Sequence, residues 1–163
     1  IGVKLTGHGS AAVFEYRLDE QGNWLNLGTY DYSNTDITQA PRNTYVNQPS
    51  VSISPNIQVG QTVEQSWDEK RSGSSGSSAT YSHKERLTFL GHEDLPLGDG
   101  KTTLKNVCKI KSTTLVDTQH PQDVNTFSVV WAAPGYGMVY GEEYSSAGTK
   151  TWHGLVTQVF QAP

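Results

Sequence analysis

The clearest alternation of apolar and polar residues lies near the start of the chain, in AVFEYRL at residues 12–18. Phe14 and Tyr16 share one face of an extended segment, and Glu15 lies on the other. A period of two residues predicts a strand with one buried face. The turn residues of DEQGN follow, and WLNLGTYDY at 24–32 is the predicted returning strand of a hairpin.

The same pattern predicts further strands, separated by segments rich in turn residues. They are expected at residues 61–70, 79–91, 102–116, 126–133, 137–144 and 150–161. Residues before 12 are expected to form a frayed lead-in. No segment has the period of a helix longer than a single turn.

Two connecting segments stand out by composition. Residues 33–55 carry Pro41, Pro49 and Pro55, and proline cannot donate to a strand ladder, so we expect a Pro-rich surface excursion with one short strand at 51–53. RSGSSGSS at 71–78 is predicted to be a flexible Gly/Ser hairpin tip.

Taken together, these segments predict a single all-β domain over residues 1–163. About 8–10 strands in sequential hairpins indicate an antiparallel meander with little or no helix. Because such a sheet must protect its edges, we expect a curved half-barrel or an incompletely closed barrel.

Composition narrows the functional classes. Hydrophobic residues make up 34% of the chain and charged residues 17%, and the remaining weight lies in Thr, Ser, Gly, Asn and Gln, as is typical of secreted or surface all-β proteins. The formal net charge of −4 gives no basic footprint, so no nucleic-acid partner is expected. No apolar run reaches the roughly 18 residues of a transmembrane segment. The one cysteine, Cys108, is expected to be a small buried hydrophobe.

WAAPGYGMVYGEE at residues 131–143 is the most unusual stretch. Pro134 and Gly135 fit the two corner positions of a turn, and Gly137 suits a bulge or a close backbone approach, so we predict a structural hairpin corner. Glu142 and Glu143 are adjacent, and in a strand they point to opposite faces.

This stretch resembles the W-Y-A-P-G-x-G-x-V signature of bacterial secreted and lipoprotein-type domains of unknown function. FLGHEDLPLGDGKTTLKNVCKIK at 89–111 is similar to their G-x-E-x-V-x-V-P-A-G-x-F-x-x-C-x-K run, and IQVGQTVEQSW at 57–67 resembles their V-G-Q-x-W strand. The resemblance implies a curved sheet whose concave face holds apolar cargo. It also implies an extracytoplasmic location, whether periplasmic, secreted or outer-membrane-anchored, with the signal segment absent from this chain.

The aromatic residues are generous for so polar a chain. They either pack the core or line an apolar ligand-binding groove. The candidates for that groove are Trp24, Trp67, Phe89, Trp131, Tyr140 and Trp152.

Three functions remain open. The first is a non-catalytic binding domain for a lipid or other apolar small molecule, without a cofactor or a metal. The second is a structural or protein-interaction module of a cell-envelope or surface assembly. The third, a glycan-active hydrolase, would need carboxylates that converge in a cleft, from among Glu15, Glu64, Glu85, Glu93 and Glu143.

A metal site has one weak sequence candidate. His92, Glu93 and Asp94 could join His83 or His120 as ligands. The alternative is a solvated loop in which Glu93 pairs with a lysine on the next strand. We expect the structural role.

Overall fold

The computed structural model describes residues 2–7, 10–54, 56–96, 101–133 and 137–160, with the backbone alone for 2–7 and 155–160. These residues form ten strands and one 3₁₀ turn, which is Pro121–Asp123. The strands are β1 Gly2–Gly7, β2 Ser10–Leu18, β3 Trp24–Tyr32, β4 Asn43–Ile53, β5 Thr62–Gly73, β6 Ser78–Pro96, β7 Thr103–Asp117, β8 Phe127–Ala133, β9 Gly137–Tyr144 and β10 Lys150–Phe160.

Every strand pairs antiparallel with its neighbours in one meander, which confirms the predicted fold class. Nine of the strands form a half-barrel that curls through 243°. β1 pairs with β2 on one side and with β10 on the other, so the hydrogen-bonded order of the strands closes into a ring. Closure gives each described strand a partner on both sides, although β4 and β5 separate beyond Gln48.

Register aligns one crosswise row of residues on the concave face of β6 to β10. Across neighbouring strands the row runs Leu87, Ser112, Ser128, Glu143 and Trp152. The next concave row runs Phe89, Ile110, Val130, Gly141 and Gly154. The first row is largely polar and the second is apolar. The concave face therefore changes from polar to apolar between positions two residues apart along a strand.

The buried core is divided between the two faces of the sheet. On the concave face Leu87, Phe89 and Ile110 form one cluster, against which Ile53 of β4 packs. The second cluster is convex, because Val129 and Trp131 flank the inward-facing Val130 and successive strand residues point to opposite faces. Its members are Val107, Val129, Trp131, Ala133 and Val139.

The prediction of a Pro-rich excursion at 33–55 was wrong for its second half, because β4 occupies 43–53. Pairing with β5 ends at Gln48, and pairing with β3 is interrupted between Val46 and Val51. Pro49 therefore lies where neither neighbouring strand requires its missing N–H.

Three other segment predictions need correction. The lead-in before residue 12 contains β1, which closes the ring. β6 continues to Pro96, beyond its predicted end at 91. The Gly/Ser tip predicted at 71–78 is shorter, because Ser72 still pairs with Ser78 and only the turn between Gly73 and Ser78 is free of the ladder.

Candidate functional site

A cavity of about 460 Å³ occupies the concave side between β2–β3 and β8–β10. Phe14 lines it from one wall, and Val130, Met138 and Trp152 line it from the other. We call this the apolar cavity. Its volume lies within the range of small-molecule sites, roughly 300–1,000 Å³.

Two glycines shape the floor of the apolar cavity. A Cβ atom on Gly154 would collide with the indole of Trp152, so the ring lies directly over this backbone. A Cβ atom on Gly141, the cross-strand partner of Gly154, would lie at 3.7 Å from Met138 Sδ and 3.8 Å from Trp152 Cζ3. Because neither glycine has a side chain, the indole of Trp152 has room to lie close to the backbone of the sheet.

A second cavity of about 610 Å³ adjoins the first and is polar. Four carboxylates line it, on Glu85, Asp117, Asp123 and Glu143. Thr114, Thr126 and Ser128 add hydroxyls, and no Lys, Arg or His is among the described residues of its lining. We call this the acidic cavity.

Ser128 and Glu143 line both cavities and form their shared wall. Glu143 is exposed to solvent on one side, and partial burial of its carboxyl raises the pKa, as does the neighbouring charge of Asp123. Burial also raises the pKa of Glu85, against the opposing effect of a hydrogen bond of 2.5 Å donated by Ser112 Oγ.

Further charged groups surround Asp117 on the concave side. His83 Nδ1 lies 3.9 Å from Asp117 Oδ1, and His83 Nε2 lies 3.9 Å from Glu69 Oε1. Burial raises the pKa of Glu69, and the charges of Asp117 and Asp31 add to the rise. Burial lowers the pKa of His83, so its neutral form is favoured.

One group among the described residues has the spacing of metal ligands. Ligand atoms of Asp117, His120 and Asp123 all lie within 4.8 Å of one another. Asp117 Oδ1 already accepts hydrogen bonds from the backbone amides of Gln119 and His120, which matches the ordinary role of aspartate in a turn.

β4 and β5 separate beyond Gln48 and leave a third cavity of about 310 Å³. The side chain of Gln65 bridges the separation by accepting a hydrogen bond from the amide of Ser52 and donating one to its carbonyl. Ile53 and Leu87 line this cavity, so it reaches the concave apolar cluster.

The six aromatic candidates do not gather at one site. Trp152 lines the apolar cavity, and Phe89 packs in the concave cluster at 2% exposure. Trp67 stacks on His83 beside a shallow surface depression, with 5.3 Å between ring centroids. Trp24 contacts Tyr16 edge to face.

Trp131 and Tyr140 pair on the convex face, away from both cavities. Trp131 is 5% exposed and donates its indole N–H to Glu93. Lys109 lies 4.8 Å from the centre of the Trp131 ring and forms an ion pair with Glu93 at 3.2 Å. This is the predicted pairing of Glu93 with a lysine on the next strand.

The corner at 134–136 lies outside the described residues, and with it Pro134 and Gly135. Gly137 has φ of +77°, and a Cβ atom there would lie 3.2 Å from the ring of Tyr16. Glycine is therefore required both by the backbone conformation and by the close approach.

The sequence-based metal candidate is not assembled. His92 Nε2 lies 3.3 Å from Cys108 Sγ, and Asp94 pairs with Lys105 at 2.7 Å. Glu93 is committed to Trp131 and Lys109, so the three adjacent side chains serve three separate contacts. Burial raises the pKa of the Cys108 thiol, which favours the unreactive thiol form.

Sequence reasoning missed most of the cavity walls. Phe14, Val130 and Met138 carry only the ordinary signal of strand alternation, and Ser128 carries none. Glu143 was considered as a possible catalytic carboxylate, and the structure places it on the shared wall. The residues that lie beside Glu143 on that wall are set by the register between neighbouring strands, as with Ser128 and Trp152.

Comparisons with protein-family models, with curated proteins and with solved structures return no match for this chain. The resemblance to lipoprotein-type domains therefore stays a prediction. The described part of the chain holds no helix with the length and apolar character of a membrane span.

Proposed function

We propose that this protein is a non-catalytic binding domain that holds an apolar small molecule inside the ring of strands. The supporting observation is the apolar cavity, in which Phe14, Val130, Met138 and Trp152 surround about 460 Å³ of space. Burial of apolar ligand surface supplies about 25 cal/mol per Å², so a mostly apolar wall is enough to bind without a metal or cofactor.

The glycines beneath Trp152 support the same proposal. The indole of Trp152 lies against Gly154 and beside Gly141, and it lines the apolar cavity. Such an aromatic surface suits a ring or an alkyl chain, because dispersion contacts increase with the shared area.

The extracytoplasmic location belongs to this proposal as well. It is supported by the sequence resemblance and by a composition rich in Thr, Ser and Gly.

The direct test is a fluorescence titration with N-phenyl-1-naphthylamine, an uncharged probe that emits strongly in apolar surroundings. We expect saturable binding with one site per chain. The variant Met138→Trp fills the apolar cavity and should abolish the increase in probe emission.

His153→Trp is the matched control, because it also adds one indole. His153 is exposed on β10 and points away from its neighbour Trp152. This variant should bind the probe like the original chain. Equal binding by both variants, with circular dichroism showing that both are folded, would overturn the proposal.

Native mass spectrometry separates this proposal from the interaction module. A bound mass of several hundred daltons that disappears on organic extraction supports a carrier of small molecules. A dimer or larger assembly without such a mass supports the interaction module instead.

One observation favours the hydrolase as a second candidate. Of the five candidate glutamates, Glu85 and Glu143 line the same acidic cavity, and both carboxyls have raised pKa values. Glycosidases use such a pair of carboxyls. Release of p-nitrophenol from a panel of p-nitrophenyl glycosides, lost in both Glu85→Gln and Glu143→Gln, would establish it, and no release would remove it.

A further inference from the structure

The apolar cavity and the acidic cavity lie side by side, and together we call them the two-part site. Ser128 and Glu143 belong to both linings, and Trp152 is the cross-strand neighbour of Glu143 on the concave face. The aromatic side chain of Trp152 is therefore a cross-strand neighbour of the Glu143 carboxylate.

The charges of this two-part site are strongly one-sided. The acidic cavity presents four carboxylates, and Asp31 adds a fifth at the apolar cavity. Glu142 also borders the apolar cavity, but its carboxylate binds Lys150 on the convex face. Arg42 is the only cation among the described residues that line either cavity.

The neighbouring basic groups do not neutralise Glu143. His120 lies 3.7 Å from Asp117, and His83 lies beside Asp117 and Glu69. Arg71 donates a hydrogen bond to Asn43. Among the described residues, none donates a hydrogen bond to the Glu143 carboxylate or forms an ion pair with it.

We propose that the ligand is a cationic amphiphile, with its apolar body against Trp152, Phe14 and Met138 and its protonated amine at Glu143. This inference rests on the proposed function, since it requires the apolar cavity to bind. Burial and the charge of Asp123 both oppose ionisation of Glu143, and an ammonium ion beside it relieves both penalties. A carboxylate or phosphate head would instead meet like charges, which disfavours binding.

The test compares three molecules with one decyl chain and different heads: decylamine, 1-decanol and decanoate. Each displaces N-phenyl-1-naphthylamine at pH 7.5 and low salt, below its micelle concentration. We expect decylamine to bind about tenfold more tightly than decanol, the size of one charge-assisted hydrogen bond, and decanoate to bind most weakly.

Glu143→Gln should remove most of the preference for the amine over decanol. Glu20→Gln is the matched control, since it removes one negative charge from an exposed turn and should preserve the preference. If Glu143→Gln fails to fold, Asp123→Asn replaces it, because Asp123 lines the same cavity.

The outcomes distinguish this inference from the proposed function. Equal displacement by all three molecules, stronger binding of decanoate, or an unchanged preference in Glu143→Gln would overturn the cationic ligand and leave the binding function intact. Failure of the probe and of all three molecules to bind would overturn both.

Discussion

The indole of Trp152 lies over the backbone of Gly154, two residues further along β10. A Cβ atom on Gly154 would overlap ring atoms Cη2 and Cζ2 and lie 3.2 Å from Cζ3. Trp152 lines the apolar cavity, and its ring rests against this backbone. The missing side chain at Gly154 therefore sets where the floor of the apolar cavity lies.

Gly154→Ala should consequently displace Trp152 into the cavity. We expect a loss of about 1–3 kcal/mol in the free energy of unfolding, which is the usual cost of overpacking, together with weaker probe binding. Gly141→Ala is the control, because its Cβ atom would make ordinary contacts at 3.7 and 3.8 Å. Urea denaturation measures the free energy of unfolding of both variants. Equal stability of the two would contradict the position of the Trp152 ring over the Gly154 backbone.

Much of the meander could be predicted from alternation alone. The strands at 24–32 and 137–144 end at the predicted residues, since turn residues flank runs of strong strand formers. Most of β4 was missed because Pro49 argues against a strand. The strand tolerates Pro49 because its pairing with β3 and with β5 is interrupted at this residue, which a single sequence does not show. β1 was missed because its pairing partners lie at both ends of the chain.

The site was less predictable than the fold, because both faces of β8 are apolar. Val129 and Trp131 point outward and Val130 points inward, and the sequence does not mark which face is concave. Trp131 and Trp152 were therefore indistinguishable as groove candidates. The pairing of Glu143 with Ser128 and Trp152 follows from register, which a single sequence does not specify.

Gly28, the single glycine of the β3–β4 pair, should not tolerate a side chain. A Cβ atom there would overlap the carbonyl oxygen of Tyr45, and the contact is with backbone rather than with a flexible side chain. Gly28→Ala should lower the free energy of unfolding by about 2 kcal/mol or more, as overpacking against an immovable neighbour does.

Gly73→Ala is a suitable comparison for Gly28→Ala. Its nearest neighbour is Ser77 Oγ at 2.5 Å, and this hydroxyl can rotate away. We expect a loss below about 1 kcal/mol, within the range of tolerated surface changes. A Gly28→Ala variant that melts with the original chain would show that β3 and β4 are not in close contact here.

Glu142 should contribute to resistance against acid. Burial opposes its ionisation, but hydrogen bonds from Lys150, Tyr144 and Tyr140 outweigh burial and lower its pKa. A lowered pKa stabilises the fold above the unfolded-state value and loses that contribution as the pH falls through the folded-state value. Glu142→Gln should cost about 1–3 kcal/mol at pH 7 and much less at pH 3.

Urea denaturation of Glu142→Gln between pH 7 and pH 3 measures this loss, with Glu20→Gln as the exposed control. The two stability curves of Glu142→Gln and the original chain should converge at low pH. Curves that stay parallel would show that the carboxylate network of β9 and β10 does not carry the effect.

Glu85 should have the opposite pH dependence. Its pKa is raised chiefly by burial, so the folded state favours the protonated carboxyl. Stability is then fully present below the unfolded-state pKa and is lost as the pH rises through the folded-state value.

Glu85→Gln keeps an oxygen that accepts the hydrogen bond of Ser112 and removes the charge, so the variant should be more stable than the original chain at pH 8 by about 1 kcal/mol. Thermal melts at pH 4 and pH 8 measure the difference, with Glu64→Gln as control because Glu64 is exposed and paired with Lys84 and Arg86 on the outside. An unchanged or lower stability of Glu85→Gln at pH 8 would mean that the Glu85 carboxylate is stabilised in the acidic cavity, which would also count against an uncompensated negative charge there.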